Sequence, residues 1–458
     1  MLERADDLLG DLEIASATAL AVADLGPEGG LGLVVGVRAG PNRLLLARAG
    51  RLVAEPPTEL ADPFGLARAI ACGDLDGDGV EEIWIANGDP VRPEAARADR
   101  LFDRDRGGFR DLLADDPTFA GPAAPSSCSV LALDREGSGR YGFLAAGPRG
   151  PSRLVECGPE GRLHDRAASA GLDEILDARV IAQGPALGPG LSLFVGAGCG
   201  PSAWFEPQGG GRFAECAETL GLGVPDLDAV DAAFLAADGA AATGLLCLRR
   251  RGAHLLWLRG ADGLWRNAAP PSLARGSAAA ALLVADLDND GFEEIFLANA
   301  GEPNRLLGFR ERGWRPLDPG DACEPTSRPT AALAADLDGD GRLELLVGRA
   351  GGRGLACYRA EENDNAWIRI APRTASGAPA RGAIVRLVAR GHSRWRIVGG
   401  SRGNGEPVAH FGLGSCTRVE RIDIRWPDGT VLRLHDLEPC RTLSVAHPHP
   451  AAKAEPGG

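Results

Sequence analysis

The chain has 458 residues, 44% of them apolar, with 64 glycines, 33 prolines and a formal net charge of -14 from 63 acidic and 49 basic side chains. That length excludes one small core and allows two domains, or one large closed ring of repeats with an appendage, while the glycine and proline content describes many turns joining short buried segments. No run reaches the roughly 18 to 20 apolar residues of a membrane-spanning helix, and the excess acid disfavours a nucleic-acid partner.

The start, Met1-Leu2-Glu3-Arg4-Ala5-Asp6-Asp7, is charged and leads into no apolar signal-peptide core, so a chain whose true start is Met1 is expected in the cytoplasm. A frame of loop followed by apolar strand then recurs. It opens weakly at Asp24, before Leu31 to Gly36, and is strong at Asp74-Leu75-Asp76-Gly77-Asp78-Gly79-Val80-Glu81-Glu82, before Ile83-Trp84-Ile85. A weak copy begins at Asp134. The loops at 184–188 and 237–240 have lost the carboxylates but keep the strand. Strong copies return at Asp286-Leu287-Asp288-Asn289-Asp290-Gly291-Phe292-Glu293-Glu294 and Asp336-Leu337-Asp338-Gly339-Asp340-Gly341-Arg342-Leu343-Glu344. Markers at 24, 74, 134, 184, 237, 286 and 336 are spaced by 50, 60, 50, 53, 49 and 50 residues, a mean of 52.

A second phrase follows in register: Pro41-Asn42-Arg43-Leu44-Leu45 and Pro303-Asn304-Arg305-Leu306-Leu307 nearly repeat each other, and a glycine with an apolar or aromatic residue comes next, as in Gly211-Arg212-Phe213 and Gly313-Trp314. Each unit reads as four short strands, which is one propeller blade. Seven units predict an all-β fold, a seven-bladed β-propeller over residues 1–360. The last unit lacks a clear fourth strand, and Leu12 to Ala15 are expected to complete it. From about Asn365 the text changes to segments alternating apolar and polar residues, among them Trp367 to Ile370, Ala383 to Val388 and Val419 to Trp426, with Asp428-Gly429 as a hairpin signal. Residues 361–447 are expected to form a small β-sandwich-like domain, and 448–458 a disordered tail.

Asp at loop positions 1, 3 and 5, glycine at 6, a backbone carbonyl at 7 and a carboxylate at 9 gather five hard oxygen ligands, which suits Ca²⁺. The expected ligands are Asp74, Asp76, Asp78, Val80 and Glu82; Asp286, Asp288, Asp290, Phe292 and Glu294; and Asp336, Asp338, Asp340, Arg342 and Glu344, with Val80, Phe292 and Arg342 giving only carbonyls. An EF-hand needs Glu at position 12, where Ile85, Leu297 and Val347 stand in strands. Ordinary Asp-Gly turns are the alternative, against which four carboxylates within nine residues repel one another unless a cation or protons neutralise them. At Asp24 and Asp134 the plain turn is favoured. The ten scattered cysteines form no CxxC pair, and buried free thiols are favoured over disulfides.

The strong units resemble FG-GAP repeats, the calcium-loop blades also found in integrin α-subunit heads. The C-terminal part resembles the ASPIC/UnbV domain, through Asn365-Ala366-Trp367, His410-Phe411-Gly412-Leu413-Gly414 and Trp426-Pro427-Asp428-Gly429. Together they cover nearly the whole chain in the order of the cartilage acidic protein family and its bacterial relatives. The resemblance implies a calcium-binding propeller, extracellular or periplasmic in most members, although four of the seven blades here have lost the acidic loop. No HExxH, GxSxG, Walker A or dinucleotide motif is present. His410 reads as a hydrogen-bonded structural histidine, and Gly196-Ala197-Gly198-Cys199-Gly200 as a strand-end turn. The expected function is therefore a monomeric interaction scaffold for a protein or carbohydrate ligand. The alternative, an enzyme or accessory protein of a bacterial natural-product pathway using the channel or the C-terminal domain, follows from the UnbV resemblance.

Overall fold

The computed structural model describes residues 1–449 except 27–28, 49, 57, 90, 93–94, 106–107, 121–124, 149, 175–176, 187, 189, 238–241 and 312. Most of the degenerate loop at 237–240 and the tail from residue 450 onward thus lie outside the described residues. Between Leu2 and Ala360 the described strands form seven four-stranded antiparallel sheets. Their inner strands are Ala17–Asp24, Ala69–Gly73, Ser129–Leu133, Ala178–Pro185, Ala229–Ala236, Ala279–Ala285 and Pro329–Ala335. Each lies against the next, and the last packs on the first, closing a propeller.

Burial explains the strand types. The second strand of a blade has neighbouring blades on both faces, so Glu82–Ala86 and Glu294–Asn299 are buried throughout, and Ile83 to Ala86 and Ile295 to Ala298 read as unbroken apolar runs. Outer strands such as Arg51–Ala54 meet solvent and bury only Leu52. The recurrent asparagine pins a blade's second turn. Asn42 Oδ1 accepts from Val37 N at 2.9 Å while its Nδ2 donates to Leu60 O at 3.0 Å, and Asn304 repeats this with Asn299 N and Ala322 O, both at 2.8 Å.

The ring is latched by Leu2–Arg4, which pairs antiparallel with Leu355–Ala360, Leu2 opposite Ala360. The expectation for Leu12 to Ala15 is corrected accordingly. Leu2 buries its side chain beside Tyr358 and Ala360 as part of that fourth strand, whereas the later segment adds no strand to the seventh blade. It packs Ile14 near Leu355 and Cys357, accepts from Gly354 N at Ile14 O at 2.6 Å, and bridges Ser16 to Ala350 before turning into the first inner strand.

His254 ties two blades. Its Nδ1 accepts from Arg249 N at 3.2 Å, and its Nε2 lies 3.1 Å from Ser277 Oγ, which bonds Asn299 Oδ1 at 2.8 Å. Burial, helped by the charges of Arg305 and Arg249, pushes its pKa down to about 4. The unfolded chain then takes up a proton near pH 6.5 that the fold refuses until about pH 4, so stability falls as pH drops through that window. From pH 7 to pH 5 this loss is roughly 2 kcal/mol. His254→Asn is expected to flatten that part of the pH dependence in calcium-saturated melts; a variant with the parent's slope contradicts it.

Beyond the ring, a three-stranded sheet (Ala409–Gly414, Ala366–Pro372, Arg441–Val445) faces a four-stranded one (His392–Ile397, Ile384–Ala389, Val419–Arg425, Val431–Leu437). Ile368, Val385, Phe411, Ile422 and Trp426 fill the space between them. Gly429, at φ 87°, makes the expected hairpin turn, with Trp426 N donating to Thr430 O at 3.0 Å. All ten cysteines are free, five of them buried.

Candidate metal centres

Each strong loop leaves the end of an inner strand and enters the second strand of its blade, and the three share one hydrogen-bond pattern. The position-3 carboxylate accepts from the position-5 amide: Asp78 N to Asp76 at 3.0 Å, Asp290 N to Asp288 at 3.0 Å, Asp340 N to Asp338 at 3.2 Å. The position-5 carboxylate accepts from the amide of Val80, Phe292 or Arg342, each at 2.8 Å. The position-9 glutamate accepts from the position-2 leucine: Leu75 N to Glu82, Leu287 N to Glu294 and Leu337 N to Glu344. Gly79, Gly291 and Gly341 sit at φ 95°, 100° and 84°, where a side chain is strained.

These turns collect carboxylates. One oxygen from each of Asp74, Asp76 and Asp78 lies within 4.8 Å of the others, and the same holds for Asp286, Asp288 and Asp290 and for Asp336, Asp338 and Glu344. Asp340 turns instead to Arg342, whose Nε is 2.7 Å from its Oδ2. Glu82 Oε1 and Asp286 Oδ1 are buried and have no hydrogen-bond partner. Burial, then neighbouring carboxylates, push Glu344 up to about 8, and Glu82 and Glu294 well above the usual range; burial likewise raises Asp74 to about 6. Arrays of this kind call for a cation or for protons, and buried oxygens without donors fit a hard metal ion.

The loops differ in how much positive charge the protein already supplies. Arg310 Nη2 stands 3.0 Å from Asp288, 2.9 Å from Asp290 and 3.4 Å from Glu294. In the third loop Arg342 meets Asp340, and Arg369 Nη1 lies 2.7 Å from Asp336 Oδ2. Among the described residues no arginine or lysine pairs with Asp74, Asp76, Asp78 or Glu82. In the weak copies Asp24 is paired with Arg373, and Asp134 accepts from Ser138 N and Gly139 N at 3.0 and 2.8 Å.

The first carboxylate of every strong loop also holds the C-terminal domain. Ser376 Oγ donates to Asp74 Oδ2 at 2.9 Å, Gly412 N to Asp286 Oδ2 at 3.0 Å and Arg369 to Asp336. Asn363 and Asn365 Nδ2 bond the Asp288 carbonyl at 3.0 and 2.8 Å. His410 is buried, with Nε2 2.7 Å from Asn289 Oδ1, and burial holds its pKa well below the usual value, the state of a neutral hydrogen-bonded histidine. The C-terminal domain therefore covers the acidic face of the ring. Its finger Gly399–Glu406 enters the channel mouth: Ser401 O accepts from Gln183 N at 2.7 Å, Arg402 reaches Asp231, Leu282 O and Ala332 O at 2.8, 3.0 and 3.2 Å, and Asn404 Nδ2 bonds Leu20 O at 2.9 Å. Glu293 meets Arg396 at 3.4 Å, and Glu81 meets Arg381 in a fully buried pair.

Arg310, Arg369, Ser376 and Gly412 were not among the expected site residues. Arg310 lies 16 residues after Glu294 and is brought in by the pairing of Arg305–Arg310 with Glu294–Asn299 in the same blade, whereas Ser376 lies 302 after Asp74 and comes in only with the docked domain.

Comparisons with known proteins agree with this architecture. A family model described as an FG-GAP-like repeat matches residues 286–347, and one described as ASPIC and UnbV matches residues 373–452. Cartilage acidic protein 1 of Mus musculus is 33% identical, covering 90% of this chain and 71% of that protein; the Homo sapiens protein is 33% identical, covering 90% and 69%. The Xenopus tropicalis protein is 31% identical, covering 94% and 73%. With an FG-GAP-type propeller, an ASPIC/UnbV domain docked on it, and this identity across more than two thirds of each relative, the chain belongs to the cartilage acidic protein 1 family.

Proposed function

We propose that the chain is a calcium-binding propeller scaffold whose ions stiffen the acidic face and fasten the C-terminal domain to it, leaving the opposite face of the ring to recognise a protein or carbohydrate partner. The observation that carries the metal assignment is the threefold gathering of carboxylate oxygens within 4.8 Å, together with the buried, unpartnered Glu82 Oε1 and Asp286 Oδ1. Asp74, Asp76, Asp78 and Glu82 would hold one ion, Asp286, Asp288, Asp290 and Glu294 a second, and Asp336, Asp338 and Glu344 a third, with the carbonyls of Val80, Phe292 and Arg342 in support. Bound Ca²⁺ supplies charge neutralisation, not chemistry. The open face is favoured for a partner because the acidic face is occupied. It also exposes two apolar side chains, Phe64 and Val91 at 82% and 74%, on segments joined by Asn87 Nδ2 and Asp62 at 2.9 Å.

The loop at Asp74, whose carboxylates form no ion pair with an arginine among the described residues, is expected to bind most tightly. Asp76 and Asp78 are exposed, and among the described residues the bond to the C-terminal domain comes from Asp74 and Ser376, so Asp76→Asn with Asp78→Asn tests ligation while keeping that bond. The expected result is one calcium fewer per chain by mass analysis and a lower melting temperature in calcium, while in chelator the variant melts no lower than the parent because two of the repelling charges are gone. A parent that carries no calcium, and melts identically with and without chelator, would remove the metal from this reading. Capture of a protein or glycan by the parent, weakened by Phe64→Asp, tests the open face.

A further inference from the structure

At the end of the channel away from the C-terminal domain, each inner strand begins with a residue facing the axis. In most blades it is small or uncharged, as at Thr18, Ala280 and Thr330, but the second and fourth blades place Arg68 and Arg179 there, on either side of Cys128 from the third. These residues line a cavity of about 80 Å³ floored by Arg402 and Asn404 of the finger. That is room for an ion of a few atoms, well below the several hundred Å³ of pockets that take a sugar or a drug-sized molecule.

The charges around the cavity do not balance. Asp231 is spent: its Oδ2 accepts from Arg402 Nη1 at 2.8 Å and from Leu282 N at 2.9 Å, and its Oδ1 from Ala232 N at 2.9 Å. Arg179 pairs Nη2 with Asp177 at 3.0 Å, yet its Nε and Nη1 are buried with no hydrogen-bond partner. Its guanidinium lies over Gly198, where a Cβ would come within 2.1 Å of Nε, so the glycine of the Gly196 to Gly200 turn makes its place. Among the described residues the half-buried Arg68 side chain has no ion pair and no hydrogen bond. Burial pushes its guanidinium below its usual value, with Asp231 opposing and the charge of Arg179 adding to the shift. After Arg402 cancels Asp231 and Arg179 cancels Asp177, one positive charge and at least two unused buried N–H groups remain.

We propose that this end of the channel is a binding site for a small monoanionic carboxylate, held by Arg68 with Arg179 as second donor. Guanidinium forks match the two oxygens of a carboxylate, and the cavity's net single charge favours a monoanion over a dianion. This site is independent of the acidic loops and uses none of their residues.

Titration of the full, calcium-loaded chain with sodium acetate tests it, at constant ionic strength, read by calorimetry and by saturation transfer to the acetate methyl. The expected result is saturable binding of one acetate per chain, weakened at least tenfold in Arg68→Gln and in Arg179→Gln, with Arg68→Lys in between because it keeps the charge but loses the fork. Inorganic phosphate is expected to bind more weakly than acetate. Undiminished acetate binding in Arg68→Gln overturns the proposal, as does chloride binding as well as acetate, which would mark a bare charge rather than an oxyanion site. Should Arg68→Gln melt below the parent in the absence of acetate, Arg68→Lys alone decides: parental affinity there counts against the site.

Discussion

Replacing Arg381 by methionine is expected to lower stability by about 3–5 kcal/mol, the range for breaking a buried ion pair and leaving one charge uncompensated. Arg381 and Glu81 are both fully buried, at the seam where the C-terminal domain meets the second blade. Every N–H of the guanidinium is used. Nε faces Glu81 Oε1, Nη2 donates to Glu81 Oε2 at 2.8 Å and to Val22 O at 2.6 Å, and Nη1 donates to the carbonyls of Gly403 and Gly405, both at 2.9 Å. Glu81 Oε2 also accepts from Asp24 N at 2.7 Å. Methionine would thus orphan a carboxylate and three carbonyls in a space water does not reach. The cost should fall largely on docking, because Gly403 and Gly405 belong to the finger. Arg381→Met with Glu81→Met removes both charges and is expected to recover a good part of the loss. Urea midpoints of the parent, both single variants and the double variant decide the matter: an Arg381→Met chain as stable as the parent, or a double variant worse than the sum of the singles, contradicts this account.

What was legible beforehand was whatever repeats. Asp74, Asp286 and Asp336 stand at the same place in their blades, and the pitch near 52 residues carries the propeller because each unit must present the same faces to its neighbours. The strands of the C-terminal domain were legible by alternation, except Ala409–Gly414 and Arg441–Val445. The first was visible only as a motif, and the second is short and buries none of its side chains fully. The latch was misplaced by about ten residues because three residues with one apolar side chain, Leu2-Glu3-Arg4, carry no period; what selects them is the exposed edge of Leu355–Ala360, a property of the closed ring. The contacts that complete the acidic loops were hidden for the same reason. Arg310, Arg369 and Arg381 look like any surface arginine in a chain with 49 basic residues, and only the fold shows that they face buried carboxylates.

If the three loops hold calcium as proposed, chelation is expected to do more than lower the melting temperature. A site bound a hundredfold above its dissociation constant contributes about 2.7 kcal/mol, so three such loops amount to as much as about 8 kcal/mol. Without the ions, Asp74, Asp286 and Asp336 keep their hydrogen bonds to Ser376, Gly412 and Arg369 only while the loops hold their turns. Four carboxylates in each loop then repel one another, and part of each loop must take up protons or open. Opening would loosen the C-terminal domain at three points of the ring at once, and the segment 361–364 joining the two parts is exposed. The expected result is that chelator speeds proteolysis at 361–364 well before the ring itself is cut, and that calcium restores protection. Asp286→Ala with Asp288→Ala should lose most of the protection due to the second loop even in calcium, because it removes the ligand and the Gly412 acceptor together. Asp76→Asn with Asp78→Asn should weaken calcium binding but leave the Ser376 contact, and so open the junction less. If chelator leaves the junction as resistant as before while the melting temperature falls, the ions stabilise the blades alone and the C-terminal domain is held by the Arg381 and Arg402 anchors.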